Sequence, residues 1–281
     1  MTKKIFFILW IIFFIGICEN SWACRFWAAI GKEIPAPIIE QQLLTDEYSL
    51  KSLGRINRNG WSVGYYEGTN AVVYRGKESA DKDPAFNKAV KIVSELRPSL
   101  VGSHIRQAAS GCRDVVNPHP FIIEKNGKVW VFGHNGVIAK NILIDLIQED
   151  YLKKNPPSVC TDNPPSSWVD TELYFIYLLK MIEQYKGNVV EGLRKGLVAL
   201  EDKIGGRGGS LNFFLSDGET LWVFRKNNSL SYSYDRDLGV SIVSSMPPNN
   251  KEGVWQDFPQ DVVGIFSLNK TPRFEPIRSL P

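Results

Sequence analysis

Cys24 is the residue whose placement asks for a chemical reason. It stands in the stretch SWACRFWAAIG, Ser21 to Gly31, directly behind the most apolar segment of the chain. Lys3 and Lys4 give a positive start. Ile5 to Cys18 form an apolar run of fourteen residues broken only by Gly16, and Ser21-Trp22-Ala23 puts small residues third and first before a cut. Those are the three regions of a secretory signal peptide. A bilayer-spanning helix needs about twenty apolar residues, more than this run supplies. Cleavage after Ala23 predicts an exported mature chain, periplasmic or extracellular, that begins at Cys24, spans 24–281 and keeps no stable membrane insertion. A thiol on residue one carries its own base, because the α-amine of the same residue, with an ordinary pKa of about 7.7 to 8.0, can take the thiol proton. The same layout also reads as an uncleaved anchor or as a lipidated Cys24. Against the lipid, the Leu usual three residues before such a cysteine is absent.

Loss of residues 1–23 removes Cys18 and leaves Cys24, Cys112 and Cys160. An odd count in an exported chain leaves at least one thiol unpaired. A Cys112–Cys160 bridge and two free thiols are both open outside the cytoplasm. His104, His119 and His134 invite a metal. Each lies beside a strand or a proline turn, and no two have the helical or short-pair spacing of common zinc sites. The expectation is therefore structural histidines, with no metal and no cofactor.

Three further segments add weight to Cys24. They are SHIRQAASG (Ser103 to Gly111), NPHPF running on to FGHNGVI (Phe132 to Ile138), and VDTE (Val169 to Glu172). Together with Cys24-Arg25 and NRNGWSVGYYEG (Asn57 to Gly68), in this order and spacing, the chain resembles the class II glutamine amidotransferases. Within that family of N-terminal-nucleophile hydrolases it is most similar to stand-alone members acting on γ-glutamyl amides. The likeness runs from Cys24 to about Phe266. It implies Cys24 as nucleophile with its own amine as base. It implies Arg106 as the grip on the substrate α-carboxylate, which a guanidinium can hold through two parallel hydrogen bonds. Asn135 and Gly136 would supply a side-chain amide and a backbone N–H to the tetrahedral oxyanion. Asp170 would take the α-ammonium, and, standing at a helix start, would also serve as its N-cap. Two departures stand out. A whole export signal precedes the cysteine, and Ser62 replaces a usual glycine in the Gly-Trp-Gly strand, which would narrow the space near the nucleophile.

Elements must bring these residues together. Three hairpins read clearly: Val63 to Gly76 turning at Glu67-Gly68, Phe121 to Gly136 turning at Asn126-Gly127, and Leu211 to Arg225 turning at Asp217-Gly218. Further strands are predicted at Leu230 to Tyr234, Val240 to Ser244 and Val262 to Leu268. Helices are predicted over Ala85 to Arg97 behind an Asp83 cap and Pro84, over Asn141 to Lys154, over Asp170 to Tyr185, and over Val189 to Ile204. Lys153 to Trp168, with four prolines, reads as a surface loop, and Gly205 to Gly209 as a flexible joint. Hairpins alternating with helix pairs suggest sheets packed together with helices outside. The family likeness makes that an α+β fold, a four-layer αββα sandwich.

Composition bounds the function without naming it. The mature chain has 31 basic against 29 acidic groups, a net charge of +2. Such a balance gives no pull toward nucleic acid or anionic membrane. The function implied by the resemblance is hydrolysis of the γ-amide of glutamine or of a γ-glutamyl compound, a small-molecule substrate, through a thioester on Cys24 and without a synthase domain. The rivals are an acylase-type amidase, which needs no Arg106 and Asp170 pair, and a non-catalytic glutamyl-binding lipoprotein.

Overall fold

The computed structural model describes residues 24–107, 119–158, 167–206 and 209–278. The signal segment, Cys112 and Cys160 lie outside them. So do parts of the SHIRQAASG segment, the proline-rich loop and the glycine joint.

Two antiparallel sheets form the centre. Sheet A contains β1 (Arg25–Ile30), β2 (Trp61–Glu67), β3 (Asn70–Gly76), β4 (Leu100–Ile105), β9 (Ser231–Asp235), β10 (Val240–Ser244) and β11 (Gln256–Asp257), in the order β11-β9-β10-β1-β4-β2-β3. Sheet B contains β5 (Phe121–Lys125), β6 (Lys128–Gly136), β7 (Leu211–Ser216), β8 (Thr220–Phe224), β12 (Val262–Ser267) and β13 (Arg273–Pro276), in the order β13-β12-β8-β7-β6-β5. The three predicted hairpins are β2–β3, β5–β6 and β7–β8. Their turn residues Gly68, Asn126, Gly127 and Gly218 take φ of 61°, 54°, 72° and 91°, the left-handed region that Gly and Asn tolerate best.

Strand periodicity divides the apolar residues among three layers. Along β1, Phe26, Ala28 and Ile30 pack between the sheets with Phe214 and Val243, while Trp27 and Ala29 pack outward against Ile39 and Phe86. On sheet B, Val131 and Phe214 face inward, whereas Phe132 and Phe213 face Leu173 and Leu197. Two core layers under helices and one between sheets make the four-layer sandwich expected above. Each large apolar side chain buried this way contributes about 1.5–3 kcal/mol. Phe214 is threaded between the sheets at two glycines: a Cβ on Gly102 would lie 2.9 Å from its ring, and one on Gly133 2.2 Å.

The outer layer on sheet A holds α1 (Ala36–Glu40), a π-helical turn at Gln41–Thr45, α2 (Leu50–Leu53) and α3 (Pro84–Leu96). Asp83 caps α3 as expected, its carboxylate accepting from Ala85 N at 2.9 Å. The layer on sheet B holds α4 (Lys140–Ile147), α5 (Glu149–Lys154), α6 (Asp170–Gln184) and α7 (Val189–Ile204). The single helix expected over Asn141 to Lys154 is thus two. Gln148 breaks it with φ 71°, and the Lys180 ammonium donates to the carbonyls of Leu146 at 2.9 Å and Ile147 at 2.8 Å. A cation on the last carbonyls of α4 satisfies groups that a continued helix would have bonded internally. Among the described residues no helix is long and apolar enough to cross a membrane.

Candidate active site

Side-chain alternation aims the key residues before any contact is considered. Cys24 falls on the face of Phe26, and His104 and Arg106 continue the face of Leu100, all toward the gap between sheets. Asn135 follows Val131 onto the inward face of β6. His134 shares the opposite face with Phe132 and meets the ring of Tyr174 of α6 edge-on at 5.3 Å.

Cys24, Arg106, Gly136 and Asp170 line one cleft at the end of the sandwich, joined by Gln107, His119 and Thr171. Its open volume is about 20 Å³, little more than one water. The Cys24 sulfur lies 3.3 Å from the Gln107 backbone nitrogen. Arg25 donates to the Cys24 carbonyl at 3.1 Å, which fixes the backbone that presents the thiol.

Burial pushes the Cys24 thiol up; the Gln107 N–H and the charges of Arg106 and Arg25 pull it back, while Asp170 adds to the rise. A thiol held above its ordinary range is protonated at neutral pH, so attack needs a base. Arg106 is itself shifted down by burial, with Cys24 and Asp170 opposing that shift. The three groups sense one another across the cleft.

Asn135 is buried on β6 opposite Asn212. Its Oδ1 lies 3.4 Å from Asn228 Nδ2, and an amide held by its oxygen presents its nitrogen as donor. Asn212 in turn fixes the Asn228 segment, donating from Nδ2 to the Asn228 carbonyl at 3.1 Å. Gly136 has no room for a side chain, since a Cβ there would lie 1.8 Å from the Ser210 carbonyl oxygen. Asn212 and Asn228 were missed in the sequence; an Asn in strand β7 and another in the turn after β8 carry no signal there.

Two expectations are corrected. Asp170 is not the cap of α6: Val169 holds that position without a side-chain bond, and the Asp170 carboxylate accepts from Ile138 N at 3.0 Å. That bond ties the helix start to the chain just past Gly136. Ser62 does not narrow the cleft around Cys24: its hydroxyl donates to the His119 carbonyl and it is not part of the cleft wall.

The three histidines, which sequence spacing kept apart, come together. His104 and His119 rings stand 4.2 Å apart and His119 and His134 6.4 Å apart. Burial lowers all three, His104 to about 3, so they are neutral at neutral pH. Among the described residues no group of three or more His, Cys, Asp or Glu side chains is arranged to hold a metal ion.

With this geometry in view, the comparisons agree in direction. The family model "Glutamine amidotransferases class-II" matches residues 48–237. "Putative glutamine amidotransferase YafJ" of Escherichia coli (strain K12) is 26% identical over 212 residues, covering 69% of this chain and 74% of that one. A Haemophilus influenzae protein described in the same words, without the letters, is 27% identical over 224 residues, covering 69% and 68%. Among solved structures, the glutamine phosphoribosylpyrophosphate amidotransferase of B. subtilis superposes with a TM-score of 0.62 at 16% identity over 91% of this chain and 49% of that one. This chain thus spans about half of that enzyme. A glutamine aminotransferase class-II domain protein from Silicibacter pomeroyi gives 0.58 at 20% identity over 90% and 100%. These likenesses show that the chain shares the fold of those two structures. With more than half of its length matched by that family model, the chain belongs to the class-II glutamine amidotransferases.

Proposed function

We propose that the chain, exported and cut after Ala23, hydrolyses the γ-amide of glutamine or of a γ-glutamyl compound through a thioester on Cys24. The observation that supports this best is the convergence of Cys24, Arg106, Gly136 and Asp170 on one cleft, although they are scattered over nearly 150 positions of sequence. Arg106 and Asp170 are a cation and an anion suited to the two ends of one amino-acid zwitterion. An acylase-type amidase has no use for such a pair.

In this reading the α-amine of Cys24 takes the thiol proton as the sulfur attacks the amide carbon. The negative charge that develops on the amide oxygen receives hydrogen bonds from the Asn135 amide and the Gly136 N–H. Collapse of the tetrahedral adduct expels ammonia or an amine, protonated by the ammonium just formed. Water then attacks the thioester and releases the glutamyl acid and the free thiol. Arg106 and Asp170 hold the zwitterion throughout, so the scissile carbon stays over the sulfur.

The test is glutamate release from matched substrates by the exported protein, with its intact mass measured in parallel. The expected result is a mass beginning at Cys24 without adduct, and turnover of glutamine or γ-glutamyl amides. A diacylglycerol addition on Cys24, or no glutamate release from any γ-glutamyl amide, overturns the reading.

A further inference from the structure

The reaction above makes no use of His119, yet its backbone and its ring are held by opposite sheets. Sheet A holds the backbone. The Ser62 hydroxyl of β2 donates to the His119 carbonyl, and Arg75 of β3 donates to the Pro120 carbonyl at 2.6 Å. Gly64 lets Pro120 lie close, since a Cβ there would be 3.1 Å from its ring carbon. Sheet B holds the ring. Nδ1 of His119 is 2.8 Å from the His134 carbonyl oxygen and 3.3 Å from the His134 nitrogen.

Register explains why a ring is needed. Strand β5 pairs with β6 only as far as Phe121 opposite Phe132. Continuing the same register would set residue 119 opposite His134. There the strand has ended, and an unpartnered β6 edge would leave buried backbone groups unsatisfied. The imidazole of His119 stands in for the donor half of the missing strand peptide. A carbonyl can only accept, so in the tautomer with the proton on Nδ1 the ring donates to it at 2.8 Å, and the 3.3 Å approach of the His134 nitrogen to the same atom is then a contact without a hydrogen bond. The peptide thus held is the one directly before Asn135 and Gly136. From its other face, the His134 ring reaches Thr171 Oγ1 at 3.1 Å and the Ser210 carbonyl at 3.2 Å.

We propose that His119 is a positioning residue, whose ring replaces a strand partner on β6 and so fixes the aim of Asn135 and Gly136 relative to Cys24 on the facing sheet. Its role in turnover rests on the amidohydrolase reading; its role in holding β6 does not.

The experiment compares His119→Asn with His119→Phe in the mature chain beginning at Cys24. Asn places an amide N–H near the Nδ1 position, whereas Phe keeps a ring without the donor. In His119→Phe, kcat for glutamine should fall on the order of ten- to a hundredfold with KM within about twofold, as expected for loss of an interaction made in the transition state. His119→Asn should recover most of that loss. Alkylation of Cys24 by iodoacetamide should proceed at the wild-type rate in both, since it needs no oxyanion donors. Hydrogen exchange of the peptide covering residues 132–138 should quicken in His119→Phe and stay protected in His119→Asn. The proposal is overturned if the two variants behave alike in exchange, or if KM carries the whole effect. If wild-type protein releases no glutamate, the amidohydrolase reading fails, and the exchange comparison still decides the role of the ring. Should His119→Phe not fold, Ser62→Ala loosens the same clamp from sheet A and should quicken exchange at 132–138; unchanged exchange there refutes the proposal.

Discussion

The Cys24 sulfur sits 3.3 Å from the backbone nitrogen of Gln107, a residue 83 positions along the chain. An N–H aimed at sulfur favours thiolate, but burial outweighs it and raises the thiol. The charges around it have opposite signs and therefore separable effects. Alkylation of Cys24 followed against pH should show a midpoint above the ordinary cysteine value of about 8.5. Arg106→Ala should move that midpoint further up by removing a cation, and Asp170→Asn should move it down. Shifts of the reverse sign would show that the two charges do not act on this thiol.

Turnover should depend on the Asn135 amide and on what holds it. Asn135→Ala should lower kcat by about 10²–10³ with KM little changed. Asn228→Ala removes only the group that orients that amide, and should cost about tenfold, the worth of one ordinary hydrogen bond. Steady-state kinetics on glutamine decide both. A change confined to thermal stability would make the His134-Asn135-Gly136 segment only a strand end.

Specificity should follow the zwitterion. Asp170→Asn keeps an oxygen for Ile138 N while deleting the charge, so the fold should survive and glutamine turnover should not. Arg106→Ala should be as severe, because an unpaired substrate charge in a desolvated cleft costs several kcal/mol. Wild-type protein should react poorly with N-acetyl and α-ester substrates. Equal cleavage of N-acetylglutamine and glutamine would remove both residues from substrate binding.

Maturation should switch activity on. Protein retaining residues 1–23, or carrying a glycine inserted before Cys24, has no free α-amine on Cys24 and should turn substrate over poorly while still binding it. Equal rates from extended and mature forms would assign the base elsewhere. Cys24→Ser should fold normally and react far more slowly, the alcohol being a weaker nucleophile than the thiol.

Acid should weaken the fold through the buried histidines. Their folded-state pKa values lie below the ordinary 6.5, so below that pH the unfolded chain binds protons that the folded one refuses. Stability is then present in full above about pH 6.5 and is lost as pH falls, His104 alone contributing a slope that approaches about 1.4 kcal/mol per pH unit between 6.5 and its folded value of about 3. Urea unfolding between pH 7 and pH 5 should show this slope, and His104→Leu should reduce it by one histidine's share. His104 is the right choice, since among the described residues neither of its ring nitrogens has a hydrogen-bond partner.

The hairpins were legible because Asn126-Gly127 and Asp217-Gly218 state their backbone conformation in their side chains. The Gln148 break was not, because no glycine or proline marks it; the cause is Lys180, 32 residues away in sequence. Helices α1 and α2 went unread because they are too short to show a period: a proline in the first turn of α1 and the Ser49 cap of α2 mark their starts, and packing of Ile39 and Leu53 under sheet A completes them. Arg106, Gly136 and Asp170 were singled out through family likeness, and the fold brings them to one cleft. Asn228 and the histidine stack needed the strand register itself. His119 meets His134 because of where β5 stops, and no residue type announces that.

Phe214 lies keyed between Gly102 on one sheet and Gly133 on the other. Those three positions belong to different strands but occupy one volume, so inheritance should treat them as a single character. A relative with alanine at either glycine position should carry a smaller residue in place of Phe214, and drift at one position alone should be rare. The spacing of the two sheets, and with it the separation of Cys24 on one from Asn135 and Gly136 on the other, would then be transmitted through descent by three residues outside the cleft wall.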